Sequence, residues 1–335
     1  MNAKAALLIL VLLAGSGAAT QLERGPTTFA NPLLSGGPDP SIVREGETYY
    51  YMHTLGDRLE IWKTRDITDL AHAERRVVWR PTPPALNGQS IWAPELHRID
   101  DRWYIYYTAA ETGHDEDAHR GIFVLENASA DPLAGTWTDR GRLATARPGI
   151  DGTTFAYRGK RYFVYSPYVG PDSDLAIVAM RDPVTLTGPE TIIATPDRPW
   201  ERQGGRQILE GPAFLAGPNG DLYLSYSASA CWSDDYALGL LHAAAGSDPL
   251  DTKAWSKAQG PVLAKSAEAG VYAPGHNGFF NTPGHQTWIV YHANSAPGME
   301  CTPQRSPRIQ QVTWRKGRPV FPRPAAKNSR LAKPR

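Results

Sequence analysis

Three acidic side chains stand where strand-like segments begin, in positions that suit acid–base chemistry. Asp39 lies between two prolines in GPDPSIV, Asp151 lies in GIDGTTF, and Glu210 lies in LEGPAFL. The prolines restrict the backbone on both sides of Asp39, so this carboxylate is held rigidly. Carboxylates that share one pocket repel one another and destabilise the fold, which is typical of groups kept for catalysis. One of them can donate a proton while another activates water.

Five aromatic segments indicate how the chain brings these acids together. They recur at intervals of roughly 60 residues, and most follow a polar or glycine-containing cluster of the kind that forms hairpin turns. About 12 residues before each segment stands a residue suited to chemistry or recognition. The segments are centred on Tyr50, Tyr104, Tyr162, Tyr223 and Trp288, and the preceding residues are Asp39, Trp92, Asp151, Glu210 and His276.

These repeats predict an all-β fold, a five-bladed β-propeller with four strands in each blade. Equivalent positions of the blades converge on the central axis of a propeller. The five preceding residues should therefore form one ring around a pocket at the end of the channel. We expect a single catalytic domain over residues 21–335, in which the last segment, 316–335, is a short polar tail. Several repeats also end near a tryptophan, namely Trp79, Trp137, Trp255 and Trp314.

The composition of the 335-residue chain favours a protein that binds its ligands through shaped sites. Its 41% apolar and 10% aromatic residues can form a large core. A formal net charge of +1 gives no electrostatic reason to bind nucleic acid or an anionic membrane. We therefore expect neither as a partner, and we expect a monomer.

The first 20 residues, MNAKAALLILVLLAGSGAAT, predict a cleaved signal peptide. They combine Lys4, an apolar run too short to span a bilayer, and small residues near the cleavage point. We expect the mature protein to be secreted or periplasmic. Cys231 and Cys301 would then lie in an oxidising compartment, where they either form one disulfide or remain free.

Several motifs of the chain are similar to those of glycoside hydrolase family 43. The resemblance implies a five-bladed propeller that removes arabinose or xylose units from plant-type polysaccharides with inversion. It implies that Asp39 is the general base, Asp151 the residue that orients and tunes the acid, and Glu210 the general acid. The similar stretches span nearly the whole mature chain and read GGPDPSIV, IWAPELH, GIDGTTF, LEGPAFL, APGHNGFF and RSPRIQQVTW.

Two of the acids have a structural alternative. Asp39 could be a turn residue, because aspartate next to proline and glycine favours turns. Asp151 and Gly152 could form a hairpin turn. A buried carboxylate at Glu210 has no comparable structural explanation.

Four further residues are predicted to complete the site. Trp92 would form an apolar wall for the sugar ring, although it could also be a core residue. Arg305 and Arg308 would pair with a catalytic carboxylate or bind sugar hydroxyls, unless they are surface charges, and the spacing to Trp314 favours Arg305 over Arg308. By resemblance, His276 would lie on the axis beside a structural Ca²⁺ held largely by water, or would be a hydrogen-bonded histidine without a metal. No organic cofactor is expected.

The substrate is predicted from two segments, 119–137 and 226–241, that resemble the arabinofuranosidase branch of the family. They favour an exo-acting enzyme that releases terminal α-L-arabinofuranosyl units from arabinan- or arabinoxylan-type chains. β-D-Xylosidases and endo-arabinanases share the same acids and remain alternatives. A non-catalytic carbohydrate-binding propeller and a retaining fructoside-cleaving propeller are the other two, but the three acids disfavour the first and the GPDPS and LEGP motifs disfavour the second.

Overall fold

The computed structural model describes residues 27–335. The predicted signal peptide lies outside these residues. Within the described range, no helix has the length and apolar character needed to cross a membrane. The helices found there are single 3₁₀ turns, at Leu70–His72, Asp117–His119, Pro199–Glu201, Gln203–Gly205 and Thr252–Ala254.

Five antiparallel sheets follow one another along the chain and form five blades, as predicted. In each blade the first strand is the innermost, and the innermost strands of neighbouring blades contact one another around the axis. Blade three carries an additional two-residue strand beside its second strand. Blade one consists of Ser41–Glu45, Thr48–Met52, Leu59–Thr64 and Glu74–Trp79, and blade two of Gln89–Ile99, Arg102–Ala110, Arg120–Asn127 and Thr138–Arg142. Blade three consists of Gly149–Tyr157, Lys160–Val169, Leu175–Asp182 and Thr185–Ala194, with Asp172–Ser173 as the additional strand. Blade four consists of Leu209–Ala216, Leu222–Ala228, Ala237–Ala243 and Ser256–Lys257.

Blade five differs from the expected four strands because it draws on both ends of the described chain. Its three paired strands are completed by the N-terminal segment, in which Leu33 N–H donates to Pro307 O at 2.8 Å. The Asn31 side chain makes the two hydrogen bonds that a neighbouring strand would make. Its Nδ2 donates to Ile309 O at 2.9 Å, and its Oδ1 accepts the Ile309 N–H at 3.1 Å. The three strands are Tyr272–Asn281, Thr287–Asn294 and Ser306–Gln311.

A two-stranded sheet, called the clasp below, joins the two ends of the described chain. Thr28–Phe29 pairs with Leu331–Ala332, so the first and last described strands hold each other. A hairpin of Thr313–Arg315 and Arg318–Val320 precedes this pair. The polar tail that the sequence predicts therefore contributes one strand to the clasp.

The aromatic second strands form the core because both of their faces are covered. On the second strand of blade two, Trp103 and Tyr107 pack with blade one, whereas Tyr104 and Tyr106 pack with blade three. Successive side chains of a strand point to opposite faces, so a strand between two blades is apolar at every position. Each large side chain buried in this way contributes about 1.5–3 kcal/mol to stability.

Candidate active site

The inner strands of blades two to five carry an irregularity at the same point of the repeat, and in blade one the equivalent residue, Asp39, lies just before the strand Ser41–Glu45. In blades two to five, the residue before this point pairs with the second strand, and the register shifts beyond it. The residue at the point adopts positive φ, a conformation that turns its side chain toward the axis as a bulge does. The five residues are Asp39 (φ 55°), Ala93 (φ 44°), Asp151 (φ 58°), Gly211 (φ 54°) and His276 (φ 42°).

The predicted ring of equivalent residues was therefore wrong at two positions. Ala93 and Gly211 occupy the repeat position, while Trp92 and Glu210 each stand one residue before it. At blade four the cause is turn length, because blade three turns through Arg158 and Gly159 whereas blade four needs the longer 217–221. At blade two the turn is as short as in blade three, and Trp92 was predicted for its side chain although Ala93 has the regular spacing.

The three acids nevertheless line one pocket of about 360 Å³, at the end of the channel where the inner strands begin. Asp151 lies inside a strand rather than in a hairpin turn, which removes that structural alternative. Of the residues predicted for the site, all but Arg308 line this pocket: Asp39, Trp92, Asp151, Glu210, His276 and Arg305.

Asp39 is held in its ionised form. Thr54 Oγ1 donates to Oδ2 of Asp39 at 2.6 Å, and Arg305 Nη1 lies 3.3 Å from Oδ1. Burial opposes ionisation, but the nearby Arg305 and His276 charges outweigh it and hold the pKa of Asp39 well below its usual value. This carboxylate is therefore able to accept a proton.

His292, which the sequence reading missed, supports Asp39 from behind. It is fully buried, and its Nδ1 accepts the backbone N–H of Asp39 at 3.0 Å. Burial and the charge of Arg305 lower the pKa of His292 to about 3, so the ring is neutral at ordinary pH. A neutral imidazole with Nδ1 as acceptor carries its proton on Nε2.

Asp151 and Glu210 are linked through the main chain. Oδ2 of Asp151 accepts the backbone N–H of Gly211, the residue after Glu210, at 2.9 Å. Burial and the neighbouring Glu210 carboxylate raise the pKa of Asp151 to about 7. Burial likewise raises the pKa of Glu210, with the Asp39 charge acting in the same direction. The two groups thus retain a proton to higher pH than a free carboxyl group does.

The side chain of Glu210 is also held by a tyrosine. The hydroxyl of Tyr236, fully buried, donates to Oε1 of Glu210 at 2.6 Å.

Gly211 leaves room for the axial histidine, because a Cβ on it would meet the His276 ring at 3.1 Å. Ala93 adopts a similar backbone conformation, so this contact, rather than φ alone, requires glycine.

His276 lies between the acids. Its ring Nδ1 is 3.4 Å from Oδ1 of Asp39 and 3.8 Å from Oδ2 of Asp151. The backbone N–H of His276 donates to Ser227 Oγ at 2.7 Å. Burial acts to lower its pKa, but the surrounding carboxylates raise it on balance. Near the ring, Asp39 and Asp151 offer the oxygen ligands that Ca²⁺ prefers, and the imidazole would be a single nitrogen among ligands supplied mainly by water.

The remaining predicted residues divide into two groups. Trp92 forms part of the pocket wall, and the Arg120 guanidinium lies 3.8 Å from its ring centroid. Arg308, in contrast, is fully buried and donates to Ser295 Oγ at 3.2 Å. It lies within a strand opposite Tyr291, so the prediction that Arg308 binds substrate in the pocket was wrong.

Cys231 and Cys301 form a disulfide with an S–S distance of 2.00 Å. Both cysteines line the pocket. Because one follows the second strand of blade four and the other follows that of blade five, the bond joins two loops at the pocket mouth. Of the two states the sequence allowed, the paired one is present.

The arrangement defines an enzyme that works by acid–base chemistry. Carboxylates whose pKa values are pushed apart in one pocket identify the base and the acid, and glycoside hydrolysis uses such a pair. The sequence model of glycosyl hydrolases family 43 matches residues 29–319. The chain belongs to this family and is a glycoside hydrolase.

Named relatives are similar over most of their length. An extracellular exo-α-(1→5)-L-arabinofuranosidase of Streptomyces avermitilis is 35% identical, over 96% of this chain and 69% of the relative. Its namesake from Streptomyces chartreusis is 38% identical, over 80% of this chain and 83% of the relative. The crystal structure of an α-L-arabinofuranosidase from Lactobacillus brevis superposes with a TM-score of 0.84 at 30% identity, covering 90% of this chain and 98% of that one.

Proposed function

We propose that the protein is an exo-acting α-L-arabinofuranosidase that releases terminal arabinofuranosyl units, with inversion, from arabinan- or arabinoxylan-type chains. The observation that carries the proposal is the opposite direction of the pKa shifts in one pocket, low at Asp39 and high at Asp151 and Glu210. The names of the similar arabinofuranosidases support the choice of sugar.

The reaction follows from these protonation states. Asp39 removes a proton from water as that water attacks the anomeric carbon. Glu210 gives its proton to the glycosidic oxygen, so the leaving sugar departs as a neutral alcohol. Asp151 holds the acid in place through the Gly211 N–H and raises the pH at which the acid pair loses its proton. Water enters from the side opposite the leaving group, which inverts the anomeric centre.

Action at chain ends is supported by the walls of the pocket. Trp92 lies on one side, and the disulfide of Cys231 and Cys301 joins the loops of blades four and five on another. A pocket of about 360 Å³ suits a terminal sugar better than the middle of a polymer.

A panel of p-nitrophenyl glycosides and linear arabino-oligosaccharides tests the proposal. We expect the highest kcat/KM on the α-L-arabinofuranoside, little action on the β-D-xyloside, and release of single arabinose units from oligosaccharides. Preference for the xyloside would instead identify a β-xylosidase, and internal cleavage an endo-arabinanase. Proton NMR of the first turnover should show the inverted anomer, and early appearance of the retained anomer would overturn the mechanism.

We propose that the protein acts outside the cytoplasm as a monomer. The relatives from Streptomyces are named extracellular, which supports the predicted signal peptide. N-terminal sequencing of protein exported by its host should begin near residue 21. Light scattering should give the mass of one chain, and a dimer mass would overturn the second part.

We also propose that His276 binds a Ca²⁺ ion that supports structure more than chemistry. Acid–base hydrolysis needs no metal, so chelation should lower the melting temperature and reduce activity modestly. Elemental analysis should find calcium in the purified protein. An unchanged melting temperature and no calcium would favour a hydrogen-bonded histidine without an ion.

A further inference from the structure

A loop of blade two brings two histidines and a glutamate together away from the acids. One ligand-type atom from each of His114, Glu116 and His119 lies within 4.8 Å of the other two. Across residues 27–335, this is the one set of three His, Cys, Asp or Glu side chains that meets the criterion. The loop follows the second strand of blade two and so lies at the pocket end of the propeller.

A fourth side chain prepares one of these histidines as a ligand. Nδ1 of His119 lies 3.1 Å from Oε2 of Glu111, a residue outside the set of three. A carboxylate in this position accepts a hydrogen bond from Nδ1–H, so the proton stays on Nδ1 and the Nε2 lone pair is free to bind a metal. Histidines that bind metals commonly have such a carboxylate partner, which fixes the tautomer and increases the basicity of the ligand.

The two histidine rings are close enough to share an ion. The His114 and His119 centroids are 4.2 Å apart, with an angle of 15° between the planes. Both side chains are partly exposed, so His114 can rotate to direct a nitrogen at the same ion as His119.

We propose that His114, Glu116 and His119 form a site for a divalent transition-metal ion, with Zn²⁺ as the best match. Two imidazole nitrogens and one carboxylate oxygen suit Zn²⁺, which binds three protein ligands and a water in a tetrahedral arrangement. Ca²⁺ and Mg²⁺ prefer oxygen ligands throughout. The site is thus chemically different from the calcium position proposed at His276.

The location of the site connects it to the pocket wall. His119 is followed by Arg120, whose guanidinium lies over the Trp92 ring. Asp115 belongs to the same loop and accepts from Arg120 Nη2 at 2.7 Å. An ion held by the loop would therefore fix the segment that supports Trp92, and we expect it to raise the melting temperature.

Isothermal titration of the untagged, full-length mature protein with ZnCl₂ tests the proposal. The buffer contains excess CaCl₂, so that any calcium position stays occupied and the result does not depend on it. We expect one Zn²⁺ per chain, and CoCl₂ should give the visible absorption of a four-coordinate ion. Absence of saturable Zn²⁺ binding would overturn the site.

Variants locate the binding. His114→Ala and His119→Ala should each abolish the one-to-one Zn²⁺ binding and the Zn²⁺-dependent rise in melting temperature. Glu111→Gln leaves all three ligands in place and should weaken binding 10–100-fold, the usual effect of losing such a partner. His72→Ala is the matched control, because His72 is an exposed histidine paired with Asp69 elsewhere. Equal binding by His114→Ala and His72→Ala proteins would contradict the assignment.

Discussion

The junction between blades three and four is built differently from the other four junctions of the ring. At those four, a side chain that follows the aromatic residue of one blade accepts the N–H of the positive-φ residue of the next blade. Ser166 occupies this position in blade three, but the Gly211 N–H donates to Asp151 instead, and Ser166 Oγ is buried without a partner. The four regular pairs are Thr54 with Ala93, Thr108 with Asp151, Ser227 with His276, and His292 with Asp39.

The comparison shows that the same backbone N–H can serve structure at one junction and catalysis at another. At the regular junctions the bond links neighbouring blades. At the exceptional one it links Asp151 to the main chain next to Glu210, so the residue that tunes the acid also positions it. The accompanying penalty is one buried hydroxyl without a partner, which destabilises the fold by about 1–3 kcal/mol.

The largest expected change in kcat/KM comes from removing either the acid, Glu210, at the exceptional junction or the base, Asp39, at a regular junction. Glu210→Ala should lose about 10²–10⁴-fold in kcat/KM on natural oligosaccharides, but much less on a dinitrophenyl glycoside whose leaving group needs no proton. Asp39→Ala should fail on both substrates, because every substrate needs an activated water. If Asp39→Ala were the variant that kept activity on the activated glycoside, the two roles would have to be exchanged.

The next effect comes from removing the acceptor that makes the junction exceptional. Asp151→Ala deletes the carboxylate whose repulsion helps the acid pair keep its proton. The pKa of Glu210 should fall, so the alkaline limb of the kcat/KM profile should move to lower pH. We also expect at least a tenfold lower rate at the original optimum. An alkaline limb that stays in place would show that Asp151 acts by position alone.

A smaller effect of opposite sign is expected at Tyr236. Its hydrogen bond stabilises the ionised form of Glu210 and so lowers the pKa of that group. Tyr236→Phe should therefore raise this pKa and move the alkaline limb to higher pH, with a loss of activity of about tenfold or less. Measuring the Asp151→Ala and Tyr236→Phe profiles side by side checks both signs, and shifts in the same direction would contradict this assignment of causes.

The smallest expected effect is a change in the free energy of unfolding. It tests the comparison directly, because the same serine-to-alanine substitution is made at a regular junction and at the exceptional one. Ser227→Ala should lower the free energy of unfolding by about 1–3 kcal/mol, since it leaves the buried His276 N–H without an acceptor. Ser166→Ala should instead increase it, by up to about 1–3 kcal/mol, since that hydroxyl is buried without a partner. Urea unfolding gives both values. Equal losses would mean that Ser166 has a partner in solution.

The three acids could be found from sequence because each lies in a motif tied to an aromatic repeat. The register around the axis could not be counted uniformly, since the turn between the first two strands is longer in blades four and five than in blades one to three. Thr54 and His292 did leave a signal that was missed. Each stands the same distance after its aromatic residue, Tyr50 or Trp288, as Ser166 does after Tyr162.

Two other contacts had no such signal. Tyr236 reaches Glu210 from the loop after the second strand of blade four, and the path of a loop does not follow from periodicity. The spacing to Trp314 favoured Arg305 over Arg308 but gave no structural reason for the choice. Only the beginning of the strand at Ser306 separates them, because it directs Arg308 into the interior and leaves Arg305 beside Asp39.

The closure of blade five makes the active site depend on both ends of the described chain. Blade five needs Asn31 and Leu33 as well as the strand Ser306–Gln311, so a chain that emerges with its N-terminus first cannot complete this sheet until nearly all of it is available. All three carboxylates are present long before that point. Arg305, which keeps Asp39 ionised, arrives only with the last blade. A chain cut before Arg305 therefore carries all three acids of the site without the guanidinium that keeps the base ionised.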